Sequence, residues 1–132
     1  MSFLLRKLLG NRRKAPRYEA QREVRLVAGL TVLDKSQLPK QFIGHTRNIS
    51  EAGLSVVLPS ISTEDLNIAS AYSRMLTILV LPTRTVNMYV SVVYRELIKE
   101  GKPESGHRLG LRIVEMSEHD RTAYQAYLRT LR

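Results

Sequence analysis

The alternation of apolar and polar positions divides the chain into a short helical segment, a run of strands and a terminal helix. Within residues 2–9, Leu4, Leu5, Leu8 and Leu9 fall on one helical face and Arg6 and Lys7 on the other. That spacing predicts a short amphipathic helix within 1–11. Gly10 and Asn11 end it, and the basic run Arg12, Arg13, Lys14, Ala15, Pro16, Arg17 follows. Proline disfavours helical backbone in the residue before it, so 12–21 is expected to be an extended or turning arm. From residue 22 the period becomes two. Val24, Leu26, Ala28 and Leu30 alternate with Glu23, Arg25 and Val27, as in a half-buried strand. Residues 34–40, with Pro39, are a loop, and 41–49 and 54–58 form a strand pair about a turn at 48–53.

The second half continues in the same way. Residues 59–73 are rich in Ser, Thr and Asn and predict a long connection holding one helical turn. Met75 to Leu81 is an apolar strand, and Val86, Met88, Val90, Val92 and Tyr94 then alternate onto one face. Gly101 and Pro103 punctuate a turn over 99–106, and Leu109, Leu111 and Ile113 face one way along a strand at 108–115. Ser117, with Asp120 three residues on, is a candidate N-cap for a helix over 117–131. Its apolar face is Ala123, Tyr124, Tyr127, Leu128 and Leu131. The expected fold is mainly β: a six-stranded antiparallel β-barrel over 12–132 with a C-terminal α-helix, preceded by a short N-terminal helix and the basic arm. Closing the sheet into a barrel leaves no open edge.

Composition narrows the function. At 132 residues, 43% hydrophobic and 25% charged, the chain is one ordinary globular domain. It has no cysteine, which excludes disulfides and thiolate chemistry and suits the cytoplasm. No apolar run approaches the roughly 20 residues that span a bilayer, and Arg6 and Lys7 interrupt the opening MSFLLRKLLG as a signal peptide. The net charge is +9 and most of the cations are arginine. Arginine forks favour bidentate recognition of phosphate or carboxylate, so nucleic acid, anionic lipid and phosphorylated small molecules are the candidate partners. His45, His107 and His119 lack metal-ligand spacing. No phosphate-cradling Gly-rich loop, nucleophile elbow or paired-carboxylate motif is present, so neither catalysis nor a cofactor is expected.

Two polar constellations remain. Arg13 and Arg17 stand four apart just before the first strand, and Asn48, Ser50 and Gly53 form an Asn-x-Ser-x-x-Gly turn between two strands. The arginine pair alone is weak, and Arg108 and Arg112 repeat it. The turn motif is rarer, with about a 3% chance of one match at this chain's own residue frequencies. Together, in this order and spacing, they resemble the two signatures of the PilZ family, RxxxR followed about thirty residues later by [Asp/Asn]xSxxG.

That resemblance implies a receptor for the bacterial second messenger cyclic di-GMP. Its expected ligand contacts are Arg12, Arg13, Arg17, Asn48, Ser50 and Gly53. Tyr94 is a further candidate that packing explains better than stacking on the ligand. Guanidinium forks suit the phosphodiesters and the O6/N7 edge of guanine. In the family, a basic residue at the position of Arg12 goes with two intercalated ligand molecules, which sets the expected stoichiometry. The resemblance also implies that ligand orders the arm and alters the surface offered to an unidentified downstream protein. Polar groups at 48 and 50 could instead serve only the turn backbone. Two other readings compete: a small basic barrel for single-stranded nucleic acid, and an adaptor that binds no nucleotide. The first is disfavoured by two Phe, no Trp and scattered tyrosines, which make no stacking platform.

Overall fold

A computed structural model describes residues 16–28, 40–59, 63–71, 74–98 and 106–132. The expected helix within 1–11, Arg12, Arg13, and most of the loops at 34–40 and 99–106 lie outside these residues. Among the described residues, seven strands are formed: β1 (Tyr18–Glu19), β2 (Glu23–Ala28), β3 (Lys40–Ile49), β4 (Gly53–Leu58), β5 (Met75–Val80), β6 (Thr85–Ile98) and β7 (Gly106–Glu115). Helix α1 (Thr63–Ser70) lies between β4 and β5, and α2 (Glu118–Thr130) ends the chain.

The sheet order is β1-β3-β2-β5-β6-β7-β4, with every pairing antiparallel, and a further β3–β4 pairing joins the ends. Six strands therefore close into the expected barrel, and β1 is a short addition beside the end of β3. β3 achieves this by changing partners along its length. Its first half, Lys40 to His45, pairs with β2, and its second half, from His45, with β4. The barrel interior is filled from every strand, including Val24, Leu26, Ile49, Val56, Leu79, Met88 and Leu109. The period-two pattern of β2 and of the first half of β6 is the direct cause, because alternate side chains of a strand point to opposite faces.

The helices meet β6 near opposite ends. Arg95 donates to Asn67 of α1, which buries Leu66, while Asp120 of α2 accepts from the backbone N–H of Asn87. The Ser117 hydroxyl caps α2 by accepting from the Asp120 backbone N–H at 3.1 Å, as its sequence signature required. Tyr124 and Leu128 are buried, and Ala123, Tyr127 and Leu131 pack beside them. Arg84, from the β5–β6 connection, holds the start of α2 through a 2.8 Å ion pair with Asp120. The connection after β4 carries an eight-residue helix where one turn was expected.

Among the described residues, three β-bulges interrupt strict alternation, and one overturns an expectation. Tyr94 shares sequence parity with Val86, Met88 and Val90, which all point inward. Val93, however, is an extra residue on β6 between the pairs Val92–Leu111 and Tyr94–Gly110. It moves Tyr94 to the outer face, where the side chain is 48% exposed. The other extra residues are Arg47 on β3 and Val114 on β7.

The strap between β1 and β2 is held by one fully buried side chain. Thr46 donates its hydroxyl to the Ala20 carbonyl and accepts from the Arg22 backbone N–H at 2.9 Å. Backbone bonds Thr46 N–H to Arg22 O and Ala20 N–H to Arg47 O, 2.8 and 3.0 Å, flank it. The Arg22 guanidinium also reaches across to the Val80 carbonyl at 3.0 Å. Thr46→Val keeps the shape and removes both hydroxyl bonds, leaving partly buried backbone groups unpaired. It should lower unfolding free energy by about 1–3 kcal/mol in urea titration, and Thr46→Ser should recover most of the loss.

Candidate functional site

Arg17 of the first sequence motif and the turn of the second meet at the end of β3. β1 pairs with its end in the register Tyr18–Ile49 and Glu19–Asn48. Arg17, exposed, immediately precedes Tyr18 and so enters beside the Asn48–Ser50 segment. An open cleft of about 330 Å³ runs between strap and strand. Glu19, Ala20 and Gln21 form one wall, and His45, Thr46, Arg47 and Asn48 the other.

The outer wall owes its polarity to the bulge. Thr46 pairs with Val56 and is fully buried, and Ile49 pairs with Leu54 and is almost so. An unbroken strand would put one of these two outside, because they are three residues apart. With Arg47 as the extra residue, both apolar-side positions stay inward. Arg47 and Asn48, consecutive in sequence, then both line the outer cleft.

Past β3 the chain turns on Ser50. Its hydroxyl accepts from the backbone N–H groups of Ala52 and Gly53, at 3.3 and 3.2 Å, and donates to the Gly53 carbonyl at 3.3 Å. The Ser50 backbone N–H also bonds that carbonyl at 2.9 Å. In this structure the serine hydroxyl is therefore engaged with its own turn, one of the two roles the sequence left open. Its carbonyl accepts from the Tyr124 hydroxyl at 2.5 Å, which ties the turn to α2. Burial pushes the Tyr124 phenol well above its usual pKa, against the opposing effect of that hydrogen bond.

Gly53 is required by close approach. Its φ is not positive, and a Cβ there would stand 2.2 Å from the Leu111 carbonyl oxygen of the neighbouring strand. Tyr94 lies farther round the barrel. The outer-face row runs Asn48–Ser55–Gly110–Tyr94 through successive pairings, about 14 Å at ordinary strand spacing. The ring of Tyr94 covers Gly110, filling the space where any β-carbon would sit.

The structure thus brings Arg17, Asn48, Ser50 and Gly53 together, sets Tyr94 three strands away on the same face, and leaves Arg12 and Arg13 outside the described residues. Glu19, Gln21, His45 and Arg47 line the cleft without having been singled out in the sequence. Among the described residues, no group of three acidic or histidine side chains could hold a metal ion. Nor, among them, is any helix long and apolar enough to cross a membrane.

The profile of the PilZ domain matches residues 11–130. The chain belongs to the PilZ domain family. Solved structures share this fold. The Bacillus subtilis inhibitor of motility MotI/DgrA is similar with a TM-score of 0.59 at 21% identity, over 90% of this chain and 50% of that one. The PilZ domain of Escherichia coli YcgR with c-di-GMP gives 0.63 at 14% identity over 91% of each chain. The K. pneumonia MrkH–c-di-GMP complex gives 0.64 at 13% identity, over 90% of this chain and 51% of that one. This PilZ domain thus spans about half the length of the MotI/DgrA and MrkH chains. No curated protein is similar enough in sequence to count as a relative.

Gly53→Ala should destabilise the domain by about 1–3 kcal/mol in chemical denaturation, because the obstructing atom belongs to backbone. Tyr124→Phe removes the hydroxyl that donates to the Ser50 carbonyl and should cost about 1–3 kcal/mol at neutral pH. The raised phenol also sets a pH dependence. The folded protein keeps this proton where the unfolded chain releases it, so the contribution is intact below about pH 10 and lost as pH rises further. Alkaline melting curves should therefore fall more steeply for the parent protein than for Tyr124→Phe.

Proposed function

We propose that this PilZ domain is a receptor for cyclic di-GMP, and that ligand closes the basic arm to change the surface seen by a partner protein. The observation that carries the reading is the register of β1 on β3. It delivers Arg17 to the side of the Asn48–Gly53 turn, so a guanidinium group and a compact polar turn stand beside the cleft that Asn48 lines. A cyclic dinucleotide needs that combination. Its two phosphodiesters call for guanidinium groups, and its guanines offer both hydrogen-bonding edges and a face for stacking. The naming of c-di-GMP in the YcgR and MrkH structures, which share the fold, lends support.

In this reading Arg13 and Arg17 clamp phosphate and guanine. Asn48 contacts the ligand directly, while Ser50 and Gly53 keep the turn open and close to the ligand. Arg12 adds the charge that a second, intercalated ligand molecule would need. Tyr94 borders the far side of the site. The arm is suited to transmit the signal because its described end is held by the two-residue strand Tyr18–Glu19 and by the Ala20 backbone bonds to β3 behind it. Ordering residues 12–17 over the ligand would reposition everything before them.

Isothermal titration of the full chain with cyclic di-GMP, beside GTP and a short single-stranded oligonucleotide, tests the function. Saturable heat with the cyclic dinucleotide alone is expected, at a ratio near two per chain. Binding of the oligonucleotide only would replace the reading with the nucleic-acid barrel. Arg17→Ala should weaken cyclic di-GMP binding by about 2–5 kcal/mol. Its melting temperature should stay near that of the parent, because Arg17 is exposed and outside the core.

A further inference from the structure

One amphipathic motif plays no part in the cleft: Leu4, Leu5, Leu8 and Leu9 on one side of residues 2–9, with Arg6 and Lys7 on the other. The barrel offers it a surface. Among the described residues, six large apolar side chains are exposed, and four of them stand on the outer side of two neighbouring strands. Tyr89 alternates with the inward Met88 and Val90 of β6, and Val114 is the extra residue of β7 beside it. Arg74 packs over one face of the Tyr89 ring, 4.6 Å from its centroid. Val93 and Tyr94 follow along β6, 59% and 48% exposed, put outside by the bulge at Val93. Ser91 and Arg112, paired in register, lie between the two groups. An arginine there is no obstacle, since its stem can line an apolar surface while its head stays in water.

The arm leads to this surface. Tyr18 pairs with Ile49, and the row from Ile49 runs through Leu54 and Leu111 to Val92. Three strand spacings make that about 14 Å. Residues 10–15 can span up to about 20 Å when extended, so the leucines before them come within reach. The sizes agree as well. Residues 2–9 make a helix about 12 Å long, and β6 from Tyr89 to Tyr94 runs about 15 Å.

An amphipathic helix this short does not persist alone in water and needs a surface for its apolar side. The short linker favours a surface of the same chain, because it holds the segment at a high effective concentration. A second copy is disfavoured by the net charge of +9, which makes like chains repel. We propose that the leucine face of residues 2–9 docks on the outer apolar surface of β6 and β7 formed by Tyr89, Val114, Val93 and Tyr94. Docked, the segment covers its own leucines and the patch together; released, it exposes both. The docking itself does not depend on a nucleotide. One consequence does rest on the receptor reading: movement of the arm makes or breaks this contact, so a partner protein meets the apolar surface in one state only.

The chain has no cysteine, so engineered pairs report proximity without background. The test is oxidative cross-linking of the full chain carrying Leu8→Cys with Val93→Cys, run without nucleotide beside Leu8→Cys with Ile43→Cys. Ile43 is similarly exposed, at 56%, but stands on β3. The first pair should close within one chain at least about tenfold faster than the second. Adding Leu5→Ser and Leu9→Ser should bring its rate down to that of the control, whereas Arg6→Gln with Lys7→Gln should leave it unchanged. Equal rates for the two pairs would overturn the docking and leave a tether that only samples the surface. Cross-linked dimers would overturn it in favour of an interface between two copies. Either failure leaves the receptor reading standing, because titration with cyclic di-GMP tests that separately.

Discussion

The pairing of β3 on both of its edges is the constraint on which the rest depends. One half of the strand zips to β2 and the other to β4, so this single element turns an open sheet into a barrel. The remaining edge beside its last residues is free to take β1. The bulge at Arg47 makes this compatible with a sealed interior. It resets the side-chain parity so that Thr46 and Ile49 both face inward, and it leaves two consecutive polar residues outside. The same local irregularity that preserves the core therefore builds the wall of the cleft. Thr46 adds the third function of this short stretch, since its buried hydroxyl fixes the strap that forms the opposite wall. Closure, cleft and arm attachment all meet within the five residues from His45 to Ile49.

Much of this organisation was visible in the sequence, because the signals concerned are periodic or local. Inward alternation in β2 and the first half of β6, the helical face of α2 and the Ser117 cap all depend on spacing alone. The polar turn at 48–53 was legible for the same reason. Its serine bonds and its glycine's approach to Leu111 are what that residue order produces when two strands pack tightly. The bulges were not legible, and they account for the main departure. A single extra residue shifts parity without changing composition, so Tyr94 looked like the next inward residue after Val92. The only trace is arithmetic. Thr46 and Ile49 cannot share a face of a regular strand, and recognising that would have exposed Arg47. Glu19 was hidden for a different reason: its place in the cleft comes from register with Asn48, a long-range property that the arm's sequence does not encode by itself.

The site joins parts of unlike rigidity. The Asn48–Gly53 turn is fixed by hydrogen bonds from Ser50, by van der Waals contact with β7 and by the phenol of Tyr124. Opposite it, the arm is secured by two residues of β1 and by the Thr46 clamp behind them. A rigid half and a lightly held half suit a binding device, because the first keeps geometry while the second can answer to a ligand. Tyr124 also connects the turn to α2, which places the C-terminal helix one hydrogen bond away from the proposed site.

The approach of Gly53 to Leu111 has a consequence for how the molecule is made. β4 lies against β7, and β2 against β5, so the barrel's seams join segments far apart along the chain. Contacts of that kind form late, since the entropy of closing a long loop is lost before any contact rewards it. During synthesis, the β3–β4 hairpin can form early from its own residues, but its glycine has nothing to lean on until β7 has emerged. Tyr124 arrives later still. The turn beside the cleft is thus drafted among the first structures and finished among the last. A ribosome-bound chain would hold a nascent barrel whose cleft acquires its final shape only when the last helix docks.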